Sequence, residues 1–454
     1  MVVVSSIFQD KDDDMRQKLL DEAKKLRNNA ADRASRLVIG FLLAFFSINF
    51  SYAGNDPDLP ALKIKEALAL AVKYHPLISA KELEYQAAKS DLNAARWSIF
   101  PNASFSFRGF QKDDEQDLPD QEVLTVSQPV WTGGKLSGNV SLAKAKRDVA
   151  QFALVEVEQR LLEDTARAVI ELGLAEAKIN ISLNNVKEHE RLFGIIERRV
   201  QASTSPEVDL RLARARLAFS RSQLLQNSNA REVAKATLEQ LIGRPVSRVT
   251  ISKDYGFNKK PLPANEDAAV SFSPKIRKMR AEIDGLKALE KVSKSSLHPQ
   301  LSIGYEKRYG ELSANEDDEQ VFLGLEFQPG AGFSALSSIN VSQARKAALL
   351  DSLRALERDI RREVQITWRE IAAAEMQLSP TNLLVESTAG VVSSYLRQYT
   401  VGRKSWLDVL NAQRELVQAR QSLEDHKASL NIASYKMQIL VGDLNRKIVL
   451  NQNE

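Results

Sequence analysis

Few residues in this chain have the type and spacing needed for covalent chemistry. Cysteine is absent, which removes a thiolate nucleophile, thiolate metal sites, disulfides and a lipid-bearing N-terminal cysteine. The four histidines, His75, His189, His298 and His426, are too scattered for a zinc site. Gly133-Gly134-Lys135 resembles the end of a phosphate loop, but Leu136 stands where Ser or Thr is required and no earlier glycine is correctly spaced. No G-x-S-x-G, H-E-x-x-H or EF-hand pattern occurs. Carboxylates are plentiful, but they lie among matching Arg and Lys, as on solvated helix faces. Asp209 and Asp408 fall near expected helix starts, where negative charge suits the helix dipole. The pattern points away from an enzyme and calls for no cofactor and no metal.

The elements that position these residues follow from composition and pattern. Of 454 residues 43% are apolar and 27% charged, too apolar for disorder and too charged for a polytopic helical membrane protein. Lys plus Arg number 63 against 59 Asp plus Glu, so no basic surplus argues for nucleic acid. Near the amino terminus, Arg33 and Arg36 precede an apolar run, Leu37–Ile48, and then Ser51-Tyr52-Ala53. A basic flank, about a dozen apolar residues and a small-x-small site are the layout of a secretory signal peptide. Residues 1–53 are therefore expected to be an export signal with a long leader.

The remainder is written twice. Pro76 and Pro101 recur as Pro274 and Pro299 at an offset of 198. Gln128-Pro129 recurs as Gln328-Pro329, and Asn139-Val140-Ser141 as Asn340-Val341-Ser342. Val208-Asp209-Leu210 recurs as Leu407-Asp408-Val409, and Leu241-Ile242-Gly243 as Leu440-Val441-Gly442. Ordered matches with so little drift indicate a tandem duplication, with a unit far longer than solenoid periods. The expected organisation is a first repeat over 54–243, a connector over 244–273 rich in proline, a second repeat over 274–443 and a tail over 444–454.

Each unit switches period in the same order. Helical spacing over Ile64–Trp97 gives way to alternation, Phe105 and Phe107 against Ser104 and Ser106. A polar loop over 112–121 leads to a second strand near Glu122–Val130. In the second unit Leu301, Ile303 and Tyr305 alternate with Ser302, Gly304 and Glu306, followed by acidic Glu311–Glu319 and a strand over Val321–Phe327. Very long helical patterns follow, Ser137–Val200 and Ser337–Tyr399, the second expected to kink or break at Pro380. Shorter helices, Pro206–Ile242 and Ser405–Val441, end at Gly243 and Gly442. The fold is thus mainly α with a small β part. Four strands cannot close a membrane barrel, so bilayer-exposed hairpins need partner copies: three would supply twelve strands and two would supply eight. Trp131 and Tyr305 suit an interfacial girdle. A periplasmic coiled-coil scaffold is the competing reading, but it predicts heptads unbroken by strand signals.

Over nearly all of 59–443 these features resemble the TolC family of outer-membrane export channels. Two motifs carry the likeness: Ser127-Gln-Pro-Val-Trp-Thr-Gly-Gly-Lys-Leu136 before the first long helix, and Tyr399-Thr-Val-Gly-Arg-Lys-Ser-Trp-Leu-Asp-Val-Leu410 after the second. The first-unit counterpart of the latter, Ala202–Leu210, is looser, with Ser203 where the family usually has Gly. The resemblance implies a homotrimer with a 12-strand barrel in outer-membrane lipid above a periplasmic helical barrel closed at its tip. It also implies a periplasmic adaptor and an inner-membrane partner, either an ABC exporter or a proton-driven transporter. By the same resemblance the periplasmic gate maps to Asp209, Tyr399 and Lys404, the pore lining to Asp408 and Asn411, and the adaptor-docking tip to Val401, Gly402, Ser405, Leu407, Val409 and Leu410. Lys404 replaces a frequent Arg, a point charge in place of a fork, which implies a weaker latch. Asn411 replaces a second Asp found in some members, which implies weaker cation attraction. Cysteine's absence excludes the lipid-anchored form common among drug-efflux members, so the resemblance favours type I protein secretion over drug or metal efflux.

Overall fold

The computed structural model describes residues 61–108, 121–251, 260–309, 317–329 and 334–445, all within the unit Leu59–Glu454. The expected export signal, most of both acidic loops and the tail beyond Asn445 lie outside them.

The duplication is visible in element lengths. Strand β1 (Leu62–Lys63) leads into α1 (Ile64–Tyr74) and α2 (Pro76–Trp97). Strands β2 (Asn102–Arg108) and β3 (Gln121–Trp131) follow, then α3 (Lys135–Gln201) and α4 (Glu207–Ile242). After β4 (Val249–Thr250), which pairs in parallel with β1, the series repeats: α5 (Leu262–Phe272), α6 (Pro274–Ser295), β5 (Gln300–Tyr309), β6 (Glu319–Glu326), α7 (Ser334–Thr400) and α8 (Trp406–Val441). Each first-repeat helix matches its counterpart in length: 11, 22, 67 and 36 residues.

Local chemistry sets the breaks. Pro76 keeps His75 extended and opens α2, and His75 Nδ1 accepts from the Leu77 amide at 3.2 Å. Ser273 and Pro274 repeat the device, Ser273 Oγ accepting from the Ile276 amide at 3.4 Å. These prolines correct the connector. The interval 244–273 holds α5, the counterpart of α1, because Pro261 and Pro274 bound a helix there and do not break one. Leu444, expected in the tail, is buried in the core. Pro380 does not interrupt α7, which runs to Thr400. One lost backbone hydrogen bond is outweighed by packing along α8, and the Thr381 hydroxyl donates to the Gln377 carbonyl at 2.7 Å.

At 1.5 Å per residue the 67-residue helices reach about 100 Å. Shorter antiparallel helices cover them in relay. Along α3, Glu176 and Glu190 lie beside Arg231 and Arg221 of α4, while Gly138 and Glu156 meet Val292 and Lys278 of α6. Helix α8 lies between the repeats, with Lys178–Asp425 at 2.6 Å towards α3 and Lys436–Glu363 at 3.0 Å towards α7. Three apolar clusters result. One joins α1, α3, α4 and α8, one joins α5, α7 and α8, and the third sits at the far helix ends.

Candidate functional site

Two regions can act on a passing solute: the sheet at one end of the long helices and the paired turns at the other. The strands order as β2-β3-β5-β6, all antiparallel, and among the described residues the outer edges of β2 and β6 are unpaired. Opposed residues share a face, so the register sorts the side chains. One face carries Phe105, Phe107, Leu124, Val126, Leu301, Ile303, Tyr305, Val321, Leu323 and Leu325. Its charges among the described residues, Glu122, Lys307 and Glu319, cluster at the hairpin end, where Lys307 donates to Glu319 at 2.6 Å and lies 5.5 Å from the Tyr309 ring. The opposite face is hydroxyl-rich, with Ser104, Ser106, Thr125, Ser127, Ser302, Glu306, Arg308 and Gln320. Apolar side chains such as Leu323, 68% exposed, have no cover among the described residues. One lipid face, one wet face and two open edges describe an arc of a membrane barrel.

The strand-to-helix corner explains Gly133-Gly134. Both adopt left-handed φ, and a side chain at Gly133 would meet His298 Cβ at 2.7 Å. The pair turns β3 into α3 against the second repeat, so its role is structural.

At the tip, both long helices end in the same cap. Ser203 and Thr204 amides donate to Val200 and Arg199 carbonyls at 2.9 and 2.8 Å; Gly402 and Arg403 amides donate to Tyr399 and Gln398 carbonyls at 3.0 and 2.9 Å. Ser203 and Gly402 take positive φ at equivalent positions. Ser405 caps α8: its hydroxyl accepts from the Asp408 amide at 3.2 Å, and Asp408 Oδ2 accepts from its hydroxyl at 2.8 Å and its amide at 3.2 Å. Those bonds, with the Lys404 charge nearby, hold the Asp408 carboxyl below the usual range.

The three residues mapped to the gate do not meet one another within one protomer. Asp209 accepts from the Ser205 hydroxyl at 2.8 Å, and Lys404 Nζ lies 4.5 Å from the Tyr395 ring. Tyr399 is 6% exposed, its ring lies tilted 5.5 Å from Trp406, and its hydroxyl has no hydrogen-bond partner among the described residues. Asp408 and Asn411 are half-buried near the start of α8. Within the docking set, Val401 and Leu407 are 69% and 51% exposed, and Gly402 and Ser405 are open. Val409 and Leu410 are corrected: at 1% and 3% exposed they pack on Leu192, Ile196 and Ala213, because their helical spacing turns them inward with Trp406.

Sequence reasoning missed Arg199. From the end of α3 its Nη1 donates to the Tyr399 carbonyl at 3.1 Å, and its guanidinium lies 4.6 Å from the Tyr399 ring. It thereby ties the first repeat's tip to the second. A signal existed: at the repeat offset its counterpart is Gln398, so the cation is present on one tip only.

The model of the outer membrane efflux proteins matches residues 67–244 and 267–443, both repeats. The chain belongs to the outer membrane efflux protein family. The cobalt-zinc-cadmium resistance protein CzcC of Cupriavidus metallidurans is 24% identical, over 85% of this chain and 93% of its own length. The alkaline protease secretion protein AprF of Pseudomonas aeruginosa is 20% identical, over 85% and 86% respectively. In fold, the chain is similar to CusC (TM-score 0.75, 16% identity, 86% of this chain and 95% of that one) and to VceC of Vibrio cholerae (0.72, 13%, 84% and 96%). The fold is therefore the TolC-like, mainly α architecture. The protein is an efflux-family channel component of the outer membrane that extends into the periplasm, and it is not an enzyme.

Proposed function

We propose that three copies close one twelve-strand barrel, β6 of each against β2 of the next, and form an exit duct fed through a periplasmic adaptor by an inner-membrane transporter. The observation that carries this is the two-faced sheet with two unpaired edges, which is unstable in a bilayer until neighbours complete it. β2 and β6 run in opposite directions, so the new junction is antiparallel like the others. Asp209, Tyr399 and Lys404 act as the gate: the partly exposed Asp209 and Lys404 bond across protomers, and the buried Tyr399 ring packs on Trp406 and holds the tip that presents Lys404. Asp408 and Asn411 line the constriction, and Val401, Gly402, Ser405 and Leu407 meet the adaptor. Single-channel recording of purified protein tests this. Small steps from wild type and larger steps from Asp209→Ala with Lys404→Ala support duct and gate together. Equal steps discard the gate residues, and silence from correctly assembled trimers returns the periplasmic scaffold.

For cargo the reading is protein, delivered by an ABC exporter in type I secretion, and the similarity to AprF supports it. The similarity to CzcC favours a second reading, export of metal ions or other small molecules by a proton-driven partner. A deletion strain separates them. A polypeptide lost from the medium supports secretion, and lowered tolerance to cobalt, zinc and cadmium with unchanged secreted proteins supports efflux.

A further inference from the structure

Phe322 is the one aromatic ring on the hydroxyl-rich sheet face among the described residues, and it lies opposite Gly304. A Cβ at Gly304 would fall 2.2 Å from Phe322 Cζ and 2.5 Å from Cε1, so the ring lies flat on the strand where a side chain would stand. Gly304 is the only buried residue of the four-stranded sheet among those described, on a face that no other described element covers. The next position along β6 on that face, Gly324, is also a glycine, and a Cβ there would stand 2.9 Å from Ser302 Oγ and 3.9 Å from the same ring. A bare glycine beneath a cross-strand aromatic is a known way to protect backbone that lacks its own side chain. Here it also removes the bulk of a large apolar side chain from the space in front of the sheet.

We infer that the Gly304–Phe322 pair sets the bore of the membrane-spanning section: glycine lets three phenyl rings lie against the wall, leaving a lumen lined mainly by hydroxyls and backbone. Any larger residue at 304 pushes the ring off the wall, and the free space lies on the lumen side because the other side is the strand itself. The pair thus limits the girth of cargo, protein or small molecule, at a level separate from the periplasmic tip. This rests on the assignment of the polar face to the lumen.

The chain has no native cysteine, so single reporters are unambiguous. Gln300→Cys lies on the polar face below the ring, Ser106→Cys lies above it, and Leu323→Cys is on the apolar face. Each is exposed in intact cells to membrane-impermeant thiol reagents, one small and one bulky, from outside. In the parent both polar-face reporters label and Leu323→Cys does not. Gly304→Ala is expected to abolish bulky-reagent labelling at Gln300→Cys, leaving the small reagent and Ser106→Cys unchanged. Adding Phe322→Ala restores it, and this reversal separates a displaced ring from a distorted barrel. If Gly304→Ala does not assemble, Phe322→Ala alone must speed bulky labelling below the ring. Labelling at Leu323→Cys but at neither polar-face reporter overturns the lumen assignment itself. Labelling of both polar-face reporters that neither Gly304→Ala nor Phe322→Ala alters overturns the bore proposal alone.

Discussion

Removing the Arg199 guanidinium should loosen the second repeat's tip without unfolding either helix pair. Arg199 offers two contacts across the repeats, a hydrogen bond of 3.1 Å to the Tyr399 carbonyl and a cation–π contact of 4.6 Å to its ring. A charged hydrogen bond contributes about 1.5–3 kcal/mol net and an exposed cation–π contact about 0.5–1 kcal/mol. Arg199 is half-buried, so solvent screening reduces both, and about 1.5 kcal/mol per protomer is the reasonable figure. That corresponds to roughly a tenfold shift towards the detached tip. The Tyr399 carbonyl keeps its bond from the Gly402 amide at 3.0 Å, so the cap survives the loss. For Arg199→Ala, amide exchange over Tyr399–Arg403 should therefore speed up about tenfold, with no change in the middle of α7. Single-channel records should show the larger conductance more often. Arg199→Lys keeps the charge but loses the planar fork, and should fall between. Wild-type exchange and conductance in Arg199→Ala would falsify the idea that this residue fastens the tips.

Other substitutions separate the faces and layers of the molecule. Leu323→Lys places a charge on the apolar sheet face, at about 2–4 kcal/mol near a bilayer midplane, and should reduce the yield of assembled trimer in outer membranes; Ser302→Lys on the opposite face should be tolerated, and equal tolerance would reverse the face assignment. Leu410→Ala opens the buried tip cluster and should destabilise it by about 2–4 kcal/mol, read as a lower thermal midpoint. Val401→Ala should stay within about 0.5 kcal/mol in stability yet weaken adaptor capture. Glu290 accepts from Lys294 and Lys346, both at 2.8 Å, and from Gln343 at 3.2 Å, and these bonds lower its carboxyl to about 2. Its folded value lies below the unfolded one, about 4.3, so its stabilisation is present above that pH and is lost as pH falls towards 2. Glu290→Gln should therefore flatten the acid limb of a melting-temperature profile, and an unchanged limb counts against the contact between α6 and α7.

Much of this molecule is legible in its sequence because duplication and period are local properties. The Phe105–Phe107 and Leu301–Ile303–Tyr305 alternations mark strands whose apolar residues share a face, and the recurring Gly243 and Gly442 mark the ends of helices of equal length. Proline misled twice for one reason: its local bias says where a helix can start or weaken, but not which outcome packing selects. Pro261 and Pro274 bound a helix that belongs to the second repeat, and Pro380 sits inside a helix held by its neighbours. Val409 and Leu410 read as surface because a motif does not state its facing, whereas their spacing from Trp406 places all three inward. Arg199 differs from its repeat counterpart Gln398, but that difference does not name its partner two hundred residues away, and Phe322 meets Gly304 only through a strand register.

The two repeats agree in helix length and cap geometry, so differences between them carry more information than the shared plan. Several of those differences lie at the tip. Gly402 takes without strain the left-handed conformation that Ser203 must adopt against its Cβ, at roughly 1–2 kcal/mol. The Ser405 hydroxyl caps α8, whereas α4 begins at Pro206 with no side-chain cap. The tip cluster draws Trp406, Val409 and Leu410 from α8 but Ala213 alone among fully buried residues from α4. The second repeat's turn is therefore the better-formed unit, and it docks on α3 through a compact apolar contact and one guanidinium. The turn's own contact with α3 is small, but α8 is held to α3 further along by Lys178–Asp425 at 2.6 Å and by the apolar cluster that joins α1, α3, α4 and α8, so release at the tip leaves the helix pair seated.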